Sequence, residues 1–177
     1  MWTLSEEIDL FRERGEVLPY IPRDIDREIL TALEKPHGFV LIIGRSADGK
    51  TRTAYEMLLR HAPDLPLLVP RADGAQRLEE VIEAFGSWPN RPIAGVLWLD
   101  DLQNFFGSGG LTVQGLRKAQ NLGLCIVATI RRRELEKFQN TNLELNKVVQ
   151  DLYDRAHVVQ VPDGMSANER VDRPLMP

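Results

Sequence analysis

Short apolar runs alternate with amphipathic stretches along most of this chain. The runs are Phe39 to Ile43, Leu65 to Val69, Ile93 to Leu99, Leu124 to Thr129 and His157 to Val161. Each has the continuity of a strand covered on both faces. Helical spacing marks the segments Asp24 to Leu33, Lys50 to His61, Ala75 to Phe85, Thr112 to Asn121 and Arg131 to Tyr153, the last interrupted around Asn140 to Asn142. Breakers fall between the elements, at Pro63, Pro66, Pro70, Pro89, Pro92 and the Gly107 to Gly110 cluster, where loops belong. The alternation predicts an α/β fold in which a five-stranded parallel sheet carries helices on both faces and takes its ligand at the carboxyl ends of the strands.

The first run delivers Gly44-Arg45-Ser46-Ala47-Asp48-Gly49-Lys50-Thr51, a full G-x-x-x-x-G-K-[ST] loop between a strand and a helix. That context is what a phosphate cradle needs, because the backbone N–H groups of the loop and the positive end of the helix must face one anion. Gly44 and Gly49 permit the turn, Lys50 reaches the β and γ phosphates, and the Thr51 hydroxyl is placed to ligate Mg²⁺. Gly44 to Thr51 together with Arg52 are the candidate nucleotide-binding residues. Asp48 puts a carboxylate inside the loop, where it repels phosphate unless it faces solvent or pairs with Arg45 or Arg52.

The third run, Val96-Leu97-Trp98-Leu99-Asp100-Asp101, ends in two carboxylates. With a phosphate loop upstream, Asp100 is read as a Mg²⁺ ligand acting directly or through water, and Asp101 as the group that orients the attacking water. Trp98 is read as core. At the end of the fourth run, Thr129 and Arg131 emerge where a hydroxyl and a guanidinium can sense a γ-phosphate. The catalytic candidates are thus Lys50, Asp101 and Arg131. Arg155 is a candidate finger reaching a neighbouring subunit's nucleotide, with an ion pair to Asp151 or Asp154 as the alternative.

Composition narrows the class. The chain has 177 residues, about one domain, with 22 Lys plus Arg against 26 Asp plus Glu. That net charge of -4 gives no general polyanion surface, so no specific nucleic-acid partner is expected. No apolar run approaches the ~20 residues that span a bilayer, the first residues do not resemble a signal peptide, and the single cysteine, Cys125, reads as a small buried hydrophobe. A cytoplasmic, reducing setting is the expectation. His37, His61 and His157 lack metal-ligand spacing.

Taken together, the phosphate loop, the doubled-aspartate strand and the Thr129-Ile130-Arg131 strand end resemble the ASCE division of P-loop NTPases. More narrowly they resemble its STAND class, close to AAA+. The likeness is sharpest to an ATPase domain found near the N-terminus of large actinobacterial proteins, through Tyr20 to Arg27, Leu97 to Leu102 and Gly109 to Thr112. The resemblance covers about Tyr20 to Val161 and implies a three-layer fold with strand order 5-1-4-3-2. It also implies ATP with Mg²⁺, and a nucleotide-controlled switch that drives oligomerisation or signalling. Tyr20, Ile21 and Pro22 would lie against the adenine, although an ordinary linker is an equal reading of that segment. Three parts follow: residues 1–35 leading into the site, an NTPase core over 36–163, and the beginning of a lid over 164–177, where Ser166 to Arg170 looks like the start of a helix. STAND proteins continue into further lid and effector regions, so the parts that would name the output are expected to lie elsewhere. Asp101 stands where many ASCE enzymes carry glutamate, and slow turnover is therefore expected.

Two functional readings remain: an ATPase switch, and an ATP-binding module with negligible catalysis. GTP specificity is disfavoured, because Asn146-Lys147-Val148-Val149 lacks the aspartate that reads guanine and Gln103 stands where D-x-x-G needs glycine. No acceptor site for a small-molecule kinase can be named.

Overall fold

A computed structural model describes residues 20–35, 37–70, 78–89, 94–106, 110–141 and 143–162. Its elements run α1 (Asp26–Leu33), β1 (Phe39–Gly44), α2 (Lys50–His61), β2 (Leu67–Leu68), α3 (Leu78–Gly86), β3 (Gly95–Leu99), a 3-10 turn (Leu102–Phe105), α4 (Val113–Asn121), β4 (Leu124–Arg131), α5 (Arg132–Thr141), α6 (Leu143–Arg155) and β5 (His157–Gln160). The five strands form one sheet in the order β2-β3-β4-β1-β5. Every pairing is parallel. The order implied by the family resemblance is the observed one.

Period-two alternation within the strands splits the core into two layers. Phe39, Leu41 and Ile43 of β1, Leu97 and Leu99 of β3, and Ile126, Ala128 and Ile130 of β4 pack under α3, α4, α5 and α6. Their neighbours Val40, Ile42, Val96, Trp98 and Val127 face α1 and α2, which supply Ile29, Leu33, Met57 and Leu58. All six residues of β1 are buried. Each large apolar side chain so enclosed contributes about 1.5–3 kcal/mol relative to exposure, so the strand that carries the phosphate loop is also among the most firmly held. Trp98 lies in this core as expected. Cys125 is only half-buried, and burial alone pushes its thiol up to about 12.

Several boundaries differ from the periodicity. The second run shrinks to Leu67–Leu68 between Pro66 and Pro70, since prolines cannot donate to a ladder and confine pairing at this sheet edge. Arg131 closes β4 rather than opening the next helix, its backbone level with Gly44 of β1. The long helical stretch is two helices, α5 and α6, meeting at the anticipated break. The Thr112 side chain caps α4 by accepting the Gly115 N–H at 2.9 Å, the arrangement preferred at a helix start. Residues 75–77, Ile93, 107–109, 163 and the segment 164–177, which carry parts of the anticipated third helix, third run, glycine cluster, core and lid, lie outside the described residues, as do residues 1–19.

Candidate nucleotide-phosphate site

Strand register brings the chemistry-bearing residues to one edge. Gly44 pairs with Arg131 across β1 and β4, and Leu99 pairs with Ala128 across β3 and β4, so the phosphate loop, Asp100, Asp101, Thr129 and Arg131 all emerge at the carboxyl ends of three adjacent strands.

Close packing explains the glycines of the loop. A Cβ on Gly44 would lie 3.0 Å from Val161 Cβ and 3.1 Å from Asp48 Oδ2. Gly49 has φ of 76° and precedes the first residue of α2, a left-handed conformation that glycine adopts without steric cost. Ala47 shares that region at φ 64°, which costs an L-residue about 1–2 kcal/mol. The loop is thus held against a local preference, and the holding groups can be named. Asp48 Oδ2 accepts the Arg45 N–H at 2.5 Å, so the carboxylate folds back on its own loop and takes a backbone donor. Lys50 is 6% exposed, and its Nζ donates to the Arg45 carbonyl at 2.5 Å. Burial pushes the Lys50 pKa down, against the opposing charges of Asp48, Asp101 and Asp100.

A continuous hydrogen-bonded path joins the loop to the two aspartates. Thr51 Oγ1 donates to Asp100 Oδ1 at 2.8 Å, and Thr129 Oγ1 donates to the same oxygen at 2.6 Å. The Thr129 oxygen also accepts the Asp101 N–H at 3.0 Å. Thr129 is 1% exposed, so its hydroxyl braces the aspartates from beneath. Asp101 takes a left-handed φ of 51° at the turn after β3, which swings its carboxylate towards β4. There Arg131 Nη2 and Nε donate to its two oxygens at 3.0 and 3.3 Å. Burial raises the Asp101 pKa, but hydrogen bonds from Gln103 and Arg131 and the charges of Arg131 and Lys50 outweigh it and hold the carboxyl below its usual value.

Replacing Thr129 by valine keeps the shape and removes both bonds. About 1–3 kcal/mol of stability should be lost, because the Asp101 N–H would lack a partner and Asp100 Oδ1 would keep only its bond from Thr51. Urea unfolding measures this; an unchanged midpoint would show that the hydroxyl braces nothing.

Mg²⁺ suits these donors. Thr51 gives its one proton to Asp100, which leaves the hydroxyl lone pairs for a cation, and Asp100 supplies a hard carboxylate oxygen. Among the described residues no group of three or more His, Cys, Asp or Glu could cage a metal. Mg²⁺ commonly takes one or two protein oxygens and leaves the remaining positions to phosphate and water.

The segment before α1 reaches the loop from its other side. Arg23 Nη1 donates to the Asp48 carbonyl at 2.7 Å, and the Tyr20 hydroxyl donates to buried Asp26 at 2.6 Å. Burial first, then the Asp26 carboxylate, raise the Tyr20 pKa well above its ordinary value. The Tyr20 oxygen also lies 3.4 Å from Thr53 Oγ1, and the Arg60 guanidinium sits 5.6 Å from the Tyr20 ring centre. Ile21 is half-buried and Pro22 exposed. Sequence reasoning singled out Tyr20 to Pro22 but missed Arg23, Asp26 and Thr53. The Arg23–Asp26 spacing of three was the available signal, since Asp26 Oδ2 accepts the Arg23 N–H at 3.0 Å.

Arg155 does not join this edge. It ends α6 just before His157, which pairs with Val40 near the start of β1, so it lies towards the opposite end of the sheet. Its Nε donates to Asp151 at 2.6 Å, the ion pair that was the alternative to a finger. Arg52 pairs with Glu56 at 2.6 Å on the first turns of α2.

The fold is a five-stranded parallel α/β sheet flanked by helices. It is similar to the crystal structure of NtrX from Brucella abortus in complex with ADP, with a TM-score of 0.52 and 18% identity, over 89% of this chain and 40% of that one. It is also similar to the closed state of Hsp104 with ATPγS and FITC casein, with a TM-score of 0.60 and 13% identity, over 96% of this chain and 31% of that one. The chain therefore spans less than half the length of either neighbour. No protein-family model and no curated protein sequence matches it. No helix among the described residues is long and apolar enough to cross a membrane.

Proposed function

We propose that this chain is an ATP-binding P-loop NTPase domain that hydrolyses ATP slowly with Mg²⁺ and serves as a nucleotide-controlled switch. The observation that carries the reading is the path Thr51–Asp100–Thr129–Asp101–Arg131, which ties a phosphate loop to a carboxylate pair and ends on a guanidinium. The neighbours' ADP and ATPγS support a nucleotide in the same fold.

In this reading the loop N–H groups and Lys50 hold the β and γ phosphates, and Thr51 with Asp100 would hold Mg²⁺, which when bound offsets phosphate charge. Asp101 orients a water whose oxygen bonds to the γ-phosphorus as the bond to the β–γ bridging oxygen breaks, giving ADP and phosphate. Arg131 senses the γ-phosphate by exchanging its Asp101 partner for phosphate oxygens. Tyr20, Ile21 and Pro22 border the adenine. The core spans 36–163 between an N-terminal segment and the beginning of a lid, in a cytoplasmic protein that forms homo-oligomers, with Arg155 reaching a neighbouring copy's nucleotide and effector regions beyond this core.

Phosphate release from ATP with Mg²⁺, run beside GTP and with binding measured on the same samples, tests the reading. ATP-selective turnover is expected; absence of nucleotide binding would overturn it. Binding without turnover supports the second reading, a sensing module. The short Asp101 side chain, engaged by Arg131, favours that alternative.

A further inference from the structure

We propose that Arg23, outside the phosphate-loop motif, is a positioning residue that aims the Gly49 N–H at the nucleotide's phosphate by gripping the Asp48 carbonyl from behind. The inference rests on the nucleotide-binding reading and adds to it a residue that shapes the cradle.

The argument is one of peptide geometry. In a trans peptide the C=O of one residue and the N–H of the next point in opposite directions within one plane, and none of the described peptide bonds is cis. Whatever fixes the Asp48 carbonyl therefore fixes the Gly49 N–H. Arg23 Nη1 lies 2.7 Å from that carbonyl oxygen. A Cβ added to Gly49 would sit 3.6 Å from the same nitrogen, so the guanidinium lies alongside this peptide. A peptide flanked by glycine rotates with little steric hindrance. Flipped, it would present a carbonyl oxygen to phosphate and repel it. A charge-assisted hydrogen bond to the carbonyl disfavours that flipped state before any ligand arrives.

Arg23 is itself well anchored. Its N–H is accepted by Asp26 Oδ2, its carbonyl accepts the Asp26 N–H at 3.0 Å, and its Nη1 lies 3.5 Å from Thr53 Oγ1, a hydroxyl 1% exposed on the first turn of α2. Tyr20 completes the anchor through Asp26. The grip thus comes from a braced segment and not from a swinging surface arginine.

The test compares parent, Arg23→Ala and Arg23→Lys proteins. ADP affinity is measured by calorimetry, and the Gly49 amide proton is followed by NMR as ADP saturates ¹⁵N-labelled protein. ADP binding should weaken roughly tenfold in Arg23→Ala, the loss typical of one hydrogen bond to a charged group. The ADP-induced downfield shift of the Gly49 amide should shrink with it, and Arg23→Lys should fall between. Unchanged affinity would overturn the inference. Weaker binding with an unaltered Gly49 shift would overturn it too, by showing that Arg23 acts elsewhere. If Arg23→Ala does not fold, Arg23→Lys and Arg23→Gln carry the same comparison. Failure of the parent to bind ADP would instead sink the nucleotide reading itself.

Discussion

Lys50→Ala is expected to lower nucleotide affinity by at least ~100-fold while the protein remains folded. The size follows from the ammonium's double duty. It donates to the Arg45 carbonyl at 2.5 Å, and with nucleotide bound it would face two phosphates. Removing a charge-assisted contact in a largely enclosed position costs about 1.5–3 kcal/mol for each bond lost. Folding should suffer far less, since burial already disfavours the charge there, as the lowered pKa records. Calorimetry on the variant, with the thermal midpoint taken on the same sample, checks both halves. Parent-like affinity would refute the assignment of the loop.

Asp101→Asn should leave binding within about threefold of the parent and reduce turnover by ~100-fold or more, the range a positioned proton acceptor supplies. An asparagine retains one oxygen for Arg131 and cannot polarise water as a carboxylate does. The ionised form is the one that works. Arg131, Gln103 and Lys50 hold the Asp101 pKa below its usual value despite burial. A group depressed in the folded state contributes stability above its unfolded pKa and loses it only as pH falls through the lower folded one. Followed by NMR in the protein without nucleotide, the Asp101 carboxyl should therefore titrate below the ordinary carboxylate range, and Arg131→Gln should move that titration upward. Turnover at the parent rate in Asp101→Asn would remove Asp101 from the chemistry. The same variant examines Arg155, whose place towards the other end of the sheet leaves only a neighbouring copy's nucleotide within its remit. Mixing Asp101→Asn with Arg155→Ala protein, in a preparation shown to oligomerise, should restore part of the activity; no rescue would leave Arg155 as the partner of Asp151 alone.

What the chain disclosed in advance depended on range. Local features were legible: β1 over Phe39–Gly44 follows the apolar run Phe39 to Ile43, α2 over Lys50–His61 has the bounds its spacing set, and the break between α5 and α6 falls at the anticipated polar residues. The motif between Gly44 and Thr51 could be read because its chemistry is contiguous. Alternation alone predicted a parallel sheet, whereas the strand order came from family resemblance, since periodicity carries no information about which strands are neighbours. Two kinds of feature stayed hidden. One was backbone direction: Asp48 was a worrying charge until its carboxylate proved to cap the Arg45 N–H three residues back. The other was contact across distance, as in Arg23 meeting the Asp48 carbonyl 25 residues on and Thr129 bracing Asp100 from 29 residues away. Neither leaves a spacing signature, because the meeting is arranged by the sheet.

That sheet sets a scale for the site. β1 and β3 are not neighbours; β4 lies between them, so the strand carrying the loop and the strand carrying the aspartates stand two ladder spacings apart, roughly 10 Å. Rows of backbone hydrogen bonds hold that width to within a few tenths of an ångström. Distance between cradle and carboxylate is therefore tuned in whole methylenes, by choosing how long an acid grows from position 101. Aspartate and glutamate are two settings of a coarse dial, and this chain is set at the shorter one.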